Sequence, residues 1–208
     1  MTTKISPKRE ERLQALLVTD GPLFEQGAAF SGMDEAGRGP LAGNVVAACV
    51  IMPREPLLPW VDDSKKLSEK RREIVFEEIM KTALFVGVGQ ASPEEIDAIN
   101  ILEATKNAMR RAAQGAPCDL FLIDAVKNLG LPGEERPIIH GDAVSYSIAA
   151  ASIIAKVTRD RQMAELDLLY PGYGFTQHKG YGTAQHIAAL RELGPCPAHR
   201  RSFIGNFL

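Results

Sequence analysis

The chain lacks an apolar run long enough to cross a bilayer. The stretch Ile148 to Ala155 ends at Lys156 and is no longer than Val45 to Met52, both well short of the roughly 20 residues a spanning helix needs. Its opening, MTTKISPKREERLQ, has no apolar segment before its charges, so no secretory signal is read and a cytoplasmic protein without membrane attachment is expected. Cysteine is scarce: Cys49, Cys118 and Cys196 are an odd number among 208 residues and have no metal-ligand spacing. They read as reduced thiols, two of them packed as small hydrophobes. Charge of one sign is also missing. A net charge of -2 excludes indiscriminate polyanion binding, so any nucleic-acid contact must come from local basic clusters set against an acidic site. There is no internal repeat and no low-complexity tract.

What is present fits one domain with a helical appendage, since 208 residues with 45% hydrophobic and 24% charged content can bury a sizeable core. Residues 7–18 have a weak helical period stopped by Asp20-Gly21-Pro22, so residues 1–26 are read as an appendage to a domain spanning 27–208. Apolar runs at 28–33 and 45–52 read as two strands joined by a tight connection. A proline-rich link (53–60) cannot be a central strand, and a helix follows it to about Thr82. A third strand covers 84–89. Ser92-Pro-Glu-Glu95 resembles a capping box with proline at the first helical position, and a second helix runs from Ile101 to about Gln114. The continuous apolar run Asp119–Asp124 reads as a buried strand, with another at 136–140. From Ser145 a helix with a stripe of small residues runs to about Tyr170, where Pro171-Gly-Tyr-Gly174 ends it. A polar loop (175–182) then precedes a last helix that Thr183 caps. This order predicts an α/β fold, a sheet flanked by helices with a helical C-terminal region from about 145 to 208.

The chain is organised about Asp34-Glu-Ala-Gly-Arg-Gly-Pro-Leu-Ala-Gly43. Two adjacent carboxylates meet a connection whose glycines let backbone come close to a ligand and whose Pro40 fixes the chain direction. Arg38 sets a cation among them, a mixture suited to a metal ion and a phosphate-bearing polymer. The same residues also suit a plain polar hairpin end. Asp124 closes the strand DLFLID at the end where open α/β sheets place ligands. It would be costly to bury without a partner. Asp142 follows the strand PIIHG and reads equally as a helix cap. Carboxylates gathered at strand ends repel one another unless a cation sits among them, and oxygen ligands without a His or Cys cluster point to Mg²⁺ or Mn²⁺ rather than Zn²⁺.

The blocks GMDEAGRGPLAG, DDSKKLSEKRR, LIDA, HGDAVSYSIAAASIIAKVTRD, YGFTQHKGYGT and HRRSF occur in this order and resemble ribonuclease HII, the bacterial type 2 ribonuclease H family, over roughly residues 27 to 203. The resemblance implies a ribonuclease H-like mixed β-sheet and a two-metal phosphodiester hydrolase. Its catalytic and metal-binding acids match Asp34, Glu35, Asp124 and Asp142, with two Mn²⁺ or Mg²⁺ ions when substrate is bound. It further implies cleavage of RNA in RNA–DNA hybrids, and 5′ to single ribonucleotides in duplex DNA, leaving 3′-hydroxyl and 5′-phosphate ends in support of ribonucleotide removal during replication and repair. By resemblance the backbone of Gly37, Arg38 and Gly39 reads the 2′-hydroxyl, and Tyr181 packs on the next deoxyribose.

Ser64, Lys65 and Lys66 are expected on backbone phosphates, although a solvated helix entry would carry the same lysines. His178, Lys179, Arg200 and Arg201 are weaker candidates, the arginine pair reading equally as surface charge, and His140, His186 and His199 read as structural. Adjacent strand residues point to opposite faces, so in an unbulged strand Asp34 offers its carboxylate while Glu35 serves through its carbonyl or through water. The rival readings are another two-metal nuclease, a binding protein that grips hybrids without cutting, and a small-molecule phosphatase. No clamp-binding motif is read, and a monomer is the expectation.

Overall fold

The run Val45–Ile51, VVAACVI, is buried along its whole length, because helices cover both faces of the sheet to which it belongs. The computed structural model describes residues 6–208. Its strands are β1 (Phe30–Ala36), β2 (Val45–Ile51), β3 (Phe85–Ala91), β4 (Leu120–Asp124) and β5 (Glu134–Ile138). They form one mixed five-stranded sheet in the order β3-β2-β1-β4-β5. β1 runs antiparallel to β2 and parallel to β4, which is parallel to β5. Pro137 lies in β5, at the sheet edge, where a missing N–H is tolerated.

The helices are α1 (Pro7–Glu25), α2 (Glu69–Thr82), α3 (Pro93–Ile99), α4 (Ile101–Ala113), α5 (Gly141–Val144), α6 (Tyr146–Leu169), α7 (Phe175–His178), α8 (Ala184–Leu193) and α9 (Arg201–Ile204). On one face α6, α1 and α2 pack Ala150, Ile153, Leu16 and Ile79 against Ala48 and Val50. On the other, α4 packs Ala104, Ala108, Met109 and Ala112 against Ala47, Cys49, Phe121 and Ile123. The small residues of α6 do what their size suggests. A Cβ built on Gly32 of β1 would lie 2.0 Å from the carbonyl carbon of Ser147, so this helix rests on the backbone of the central strand.

Local readings were refined by tertiary contacts. α1 does not stop at Asp20-Gly21-Pro22 but continues to Glu25, because Leu13, Leu16 and Leu23 are buried and Asp20, fully buried, accepts the Ser147 N–H at 2.8 Å. That carboxylate sits at the amino end of α6, where the helix dipole favours an anion. β1 extends three residues beyond the predicted 28–33, since Ala36 still pairs with Val46. The Ser92 hydroxyl caps the Glu95 N–H, but the Glu95 carboxylate turns to Asn107 and Arg111 and does not close a capping box. The expected polar loop at 175–182 contains α7, whose Phe175 is fully buried beside Tyr173, Met163 and Cys196.

α1 is fastened by Asp62, which is buried and takes Arg9 Nη1 at 2.7 Å and Arg12 Nε at 2.8 Å. Burial alone would raise the Asp62 pKa, and the bonds from Arg12 and Arg9 outweigh it and hold it below the usual range. A folded-state pKa below the unfolded value stabilises the fold above about pH 4 and loses that contribution as pH falls through the folded value. Asp62→Asn is expected to cost about 2–3 kcal/mol near neutral pH and less in acid, read from urea melts across pH. An unchanged neutral midpoint would show that α1 is held by its leucines alone.

Candidate active site

Strand alternation sends Gly32, Asp34 and Ala36 of β1 toward α6, and Met33 and Glu35 toward the other face, in keeping with the packing of Ala36 beside α6 and of Met33 beside α4. The parallel pairing sets Met33 opposite Ile123, so the next pair along is Asp34 with Asp124. Leu122 packs against Ile148 of α6, and two residues on Asp124 shares that face. His140, in a left-handed conformation (φ 55°), turns the chain from β5 into α5 and delivers Asp142. The Gly141 N–H donates to Asp124 Oδ1 at 2.7 Å and the Glu35 N–H to Asp34 Oδ1 at 2.7 Å. Asp34, Asp124 and Asp142 thus each present a carboxylate oxygen within 4.8 Å of the others.

Asp34 and Asp142 are buried and Asp124 is half-buried. Burial first, then repulsion by Glu35 and Asp124, pushes the Asp34 pKa well up. Burial and the Asp142 charge raise Asp124. Lys65 stands 3.3 Å from Asp142 Oδ2. Burial disfavours its charge, and the neighbouring Asp142 more than restores it. Glu35 does not join the three-carboxylate group. Its Oε1 lies 3.5 Å from Arg38 Nη1, while Oε2 is buried with no hydrogen-bond partner.

Beside the carboxylates a cleft of about 230 Å³ is lined by Asp34, Glu35, Ala36, Gly37, Arg38, Gly39, Ser64, Lys65, Lys156, Arg159 and Tyr181. Gly37 has φ +97°, and a Cβ there would meet Arg159 Nε at 2.0 Å. A Cβ on Gly39 would lie 3.8 Å from the Tyr181 ring, so the glycine loop and the tyrosine face each other across the cleft.

Residues 31–206 match the family model described as Ribonuclease HII. The chain belongs to the ribonuclease HII family. A ribonuclease HII of Geobacter sulfurreducens is 58% identical over 178 residues, 85% of this chain and 82% of that one. The ribonuclease H2 crystal structure from Pyrococcus horikoshii is 26% identical with a TM-score of 0.73, covering 83% of this chain and 92% of that one. The ribonuclease HII in a PCNA complex from Archaeoglobus fulgidus is 27% identical with a TM-score of 0.71, covering 86% and 96%. The fold is accordingly the ribonuclease H-like mixed sheet that the resemblance implied, and the protein is a metal-dependent endoribonuclease of the ribonuclease H class, acting on RNA–DNA hybrids.

The carboxylates fit a divalent ion on chemical grounds. All their donors are hard oxygens, three anions crowd one another, and Glu35 Oε2 lacks a partner. Of the other residues singled out in the sequence, Gly37, Arg38, Gly39, Ser64, Lys65 and Tyr181 line the cleft. Lys66 is exposed and does not line it, and Lys179 turns its ammonium to Glu69 at 3.6 Å. Lys156 and Arg159 line the cleft and were overlooked. The signal for them was their spacing of three on α6, which sets both on one helix face. Arg200 is fully buried and grips the glycine loop, so it is not the surface charge it equally resembled.

Without a cation the carboxylates destabilise their own fold, as functional sites often do. Asp34→Asn keeps an oxygen for the Glu35 N–H and removes one charge. Without divalent ions it is expected to raise the melting temperature by about 2–6 °C, corresponding to about 1–2 kcal/mol. Saturating Mg²⁺ is expected to stabilise the parent more than the variant. A lower melting temperature for the metal-free variant would mean that Asp34 is held by favourable contacts rather than under repulsion.

Proposed function

We propose that this protein cuts RNA–DNA hybrids, and duplex DNA on the 5′ side of a single embedded ribonucleotide, leaving 3′-hydroxyl and 5′-phosphate ends. It would act as a cytoplasmic monomer in ribonucleotide removal, its catalytic domain covering residues 27–208. The observation that carries this reading is a three-carboxylate cluster that shares Asp34 with a cleft lined by a glycine loop and a facing tyrosine. Asp34, Asp124 and Asp142 would hold two Mn²⁺ or Mg²⁺ ions, with Glu35 contributing through its carbonyl or through water. When bound, such ions supply an activated water and charge compensation for the departing 3′ oxygen.

The chain's own residues bind and orient the substrate. Ser64 and Lys65 would grip phosphates flanking the cut, which positions the duplex without reading its bases. Lys66 and Lys179 lie further out and would meet more distant phosphates. The 2′-hydroxyl distinguishes a ribonucleotide from DNA and must be met at close range by donors and acceptors. Gly39 allows that approach because it presents no Cβ, and Gly37 takes a positive φ with Arg159 packed where its Cβ would stand. Among the described residues, neither the Arg38 nor the Gly39 N–H is taken up by a protein acceptor, which suits them to bind ligand. Tyr181 is half exposed across the cleft and offers its ring to the neighbouring sugar. No protein nucleophile is required.

The test is cleavage of a DNA duplex bearing one ribonucleotide, beside an all-DNA duplex, with Mg²⁺ or Mn²⁺. The parent is expected to cut 5′ of the ribonucleotide and to spare the all-DNA duplex. Asp124→Asn is expected to lose at least about a hundredfold in rate, the scale on which one electrostatic contributor to a transition state is felt. A parent that binds the ribonucleotide duplex and cuts it with neither metal would overturn the proposal.

A further inference from the structure

Arg200 is fully buried, and among the described residues no acidic group lies within ion-pair distance of it. Taking a guanidinium out of water without a counter-ion costs several kcal/mol unless its donors are satisfied. Here they are, entirely by backbone carbonyls. Nε donates to Gly43 O at 3.0 Å, Nη1 to Arg38 O at 3.0 Å and Pro40 O at 2.8 Å, and Nη2 to Gly37 O at 2.6 Å and Gly43 O at 2.8 Å. One planar side chain therefore holds four carbonyls of the loop that faces Tyr181. Burial, and then the charge of nearby Arg159, lowers the Arg200 pKa to about 9, which leaves it cationic at neutral pH.

The same short segment also reaches the tyrosine. The Arg200 N–H donates to Leu41 O at 2.9 Å, and the Leu41 N–H to Gly180 O at 2.8 Å. Beside it, the Cys196 N–H donates to His199 Nδ1 at 3.1 Å, which leaves the proton of His199 on Nε2. His199 Nε2 then donates to His186 Nε2 at 3.1 Å, and His186 Nδ1 donates to Tyr181 O at 2.9 Å. These tautomers follow from the partners. Burial and the neighbouring His186 depress the His199 pKa to about 4, so the relay is neutral at working pH. Consecutive residues thus hold the two elements facing each other across the cleft.

We propose that Arg200, together with the His199–His186 relay, is a positioning unit that sets the register of the Gly37–Gly39 loop against Tyr181 and thereby the preference for a ribose at the cut. This rests on the reading of the cleft given above. A lysine cannot replace the guanidinium, because a point charge on a flexible stem lacks its fork of five donors. Nothing in the arrangement touches the phosphate grip at Ser64 and Lys65, so grip and preference separate.

The experiment compares parent, Arg200→Lys and His186→Phe, the last keeping an aromatic ring beside Phe175 and His178 while breaking the relay. Binding is measured to an all-DNA duplex and to the same duplex with one ribonucleotide, along with the single-turnover cleavage rate on the latter. Both variants are expected to bind the all-DNA duplex within about twofold of the parent, to lose the parent's preference for the ribonucleotide duplex, and to cleave about ten- to a hundredfold more slowly, the scale of a misplacement of about 1 Å. Should Arg200→Lys not fold, His186→Phe decides alone. A folded variant that keeps the parent's preference, or loses affinity for both duplexes equally, overturns the proposal. A parent that shows no cleavage at a ribonucleotide refutes instead the reading of the cleft.

Discussion

Asp34, within β1, and Asp124, the last residue of β4, stand side by side on neighbouring parallel strands and on the same face of the sheet, and neither can move without unpairing its centre. That register is the constraint on which the rest of the structure depends. It is locked from above by α6, which approaches β1 so closely that Gly32 leaves no room for a side chain. The small residues of α6 therefore serve the site as well as the core, since a larger stripe would lift the helix from the strand that carries Asp34. α5, entered through the left-handed His140, then needs only one turn to bring Asp142 to the pair.

Electrostatic strain is divided between two neighbouring regions of opposite sign. The carboxylates crowd one another and are pushed toward neutrality, whereas Arg159 and Arg200 are buried cations whose hydrogen-bond partners are carbonyls. Both arrangements would be unfavourable in a protein selected for stability alone. Together they place an acidic cluster next to a positively backed glycine loop at one cleft, which suits a substrate whose backbone is anionic and whose distinguishing feature is a sugar hydroxyl.

Much of this was legible in the sequence. The strand VVAACVI, the small stripe of α6 and the end position of Asp124 follow from pattern alone, and the DEAGRGP block named the region that became the cleft. What escaped notice depended on contacts distant in the chain. Nothing local tells a buried Arg200 from its exposed neighbour Arg201, because the carbonyls that satisfy it lie about 160 positions earlier. Gly21-Pro22 reads as a stop until Asp20 is seen at the end of α6. Phe175 looked like part of a polar loop because its aromatic and histidine neighbours gather only in three dimensions.

The separation of Asp34 from Glu35 by strand alternation makes the central claim open to direct observation. The decisive measurement is the anomalous scattering of Mn²⁺ in crystals of the protein bound to a duplex carrying one ribonucleotide. The account predicts ion peaks bounded by the carboxylates of Asp34, Asp124 and Asp142, with the Glu35 side chain off the ion that Asp34 holds and β1 unbulged. Peaks elsewhere in the fold, or a single ion gripped by both the Asp34 and Glu35 carboxylates, would contradict it.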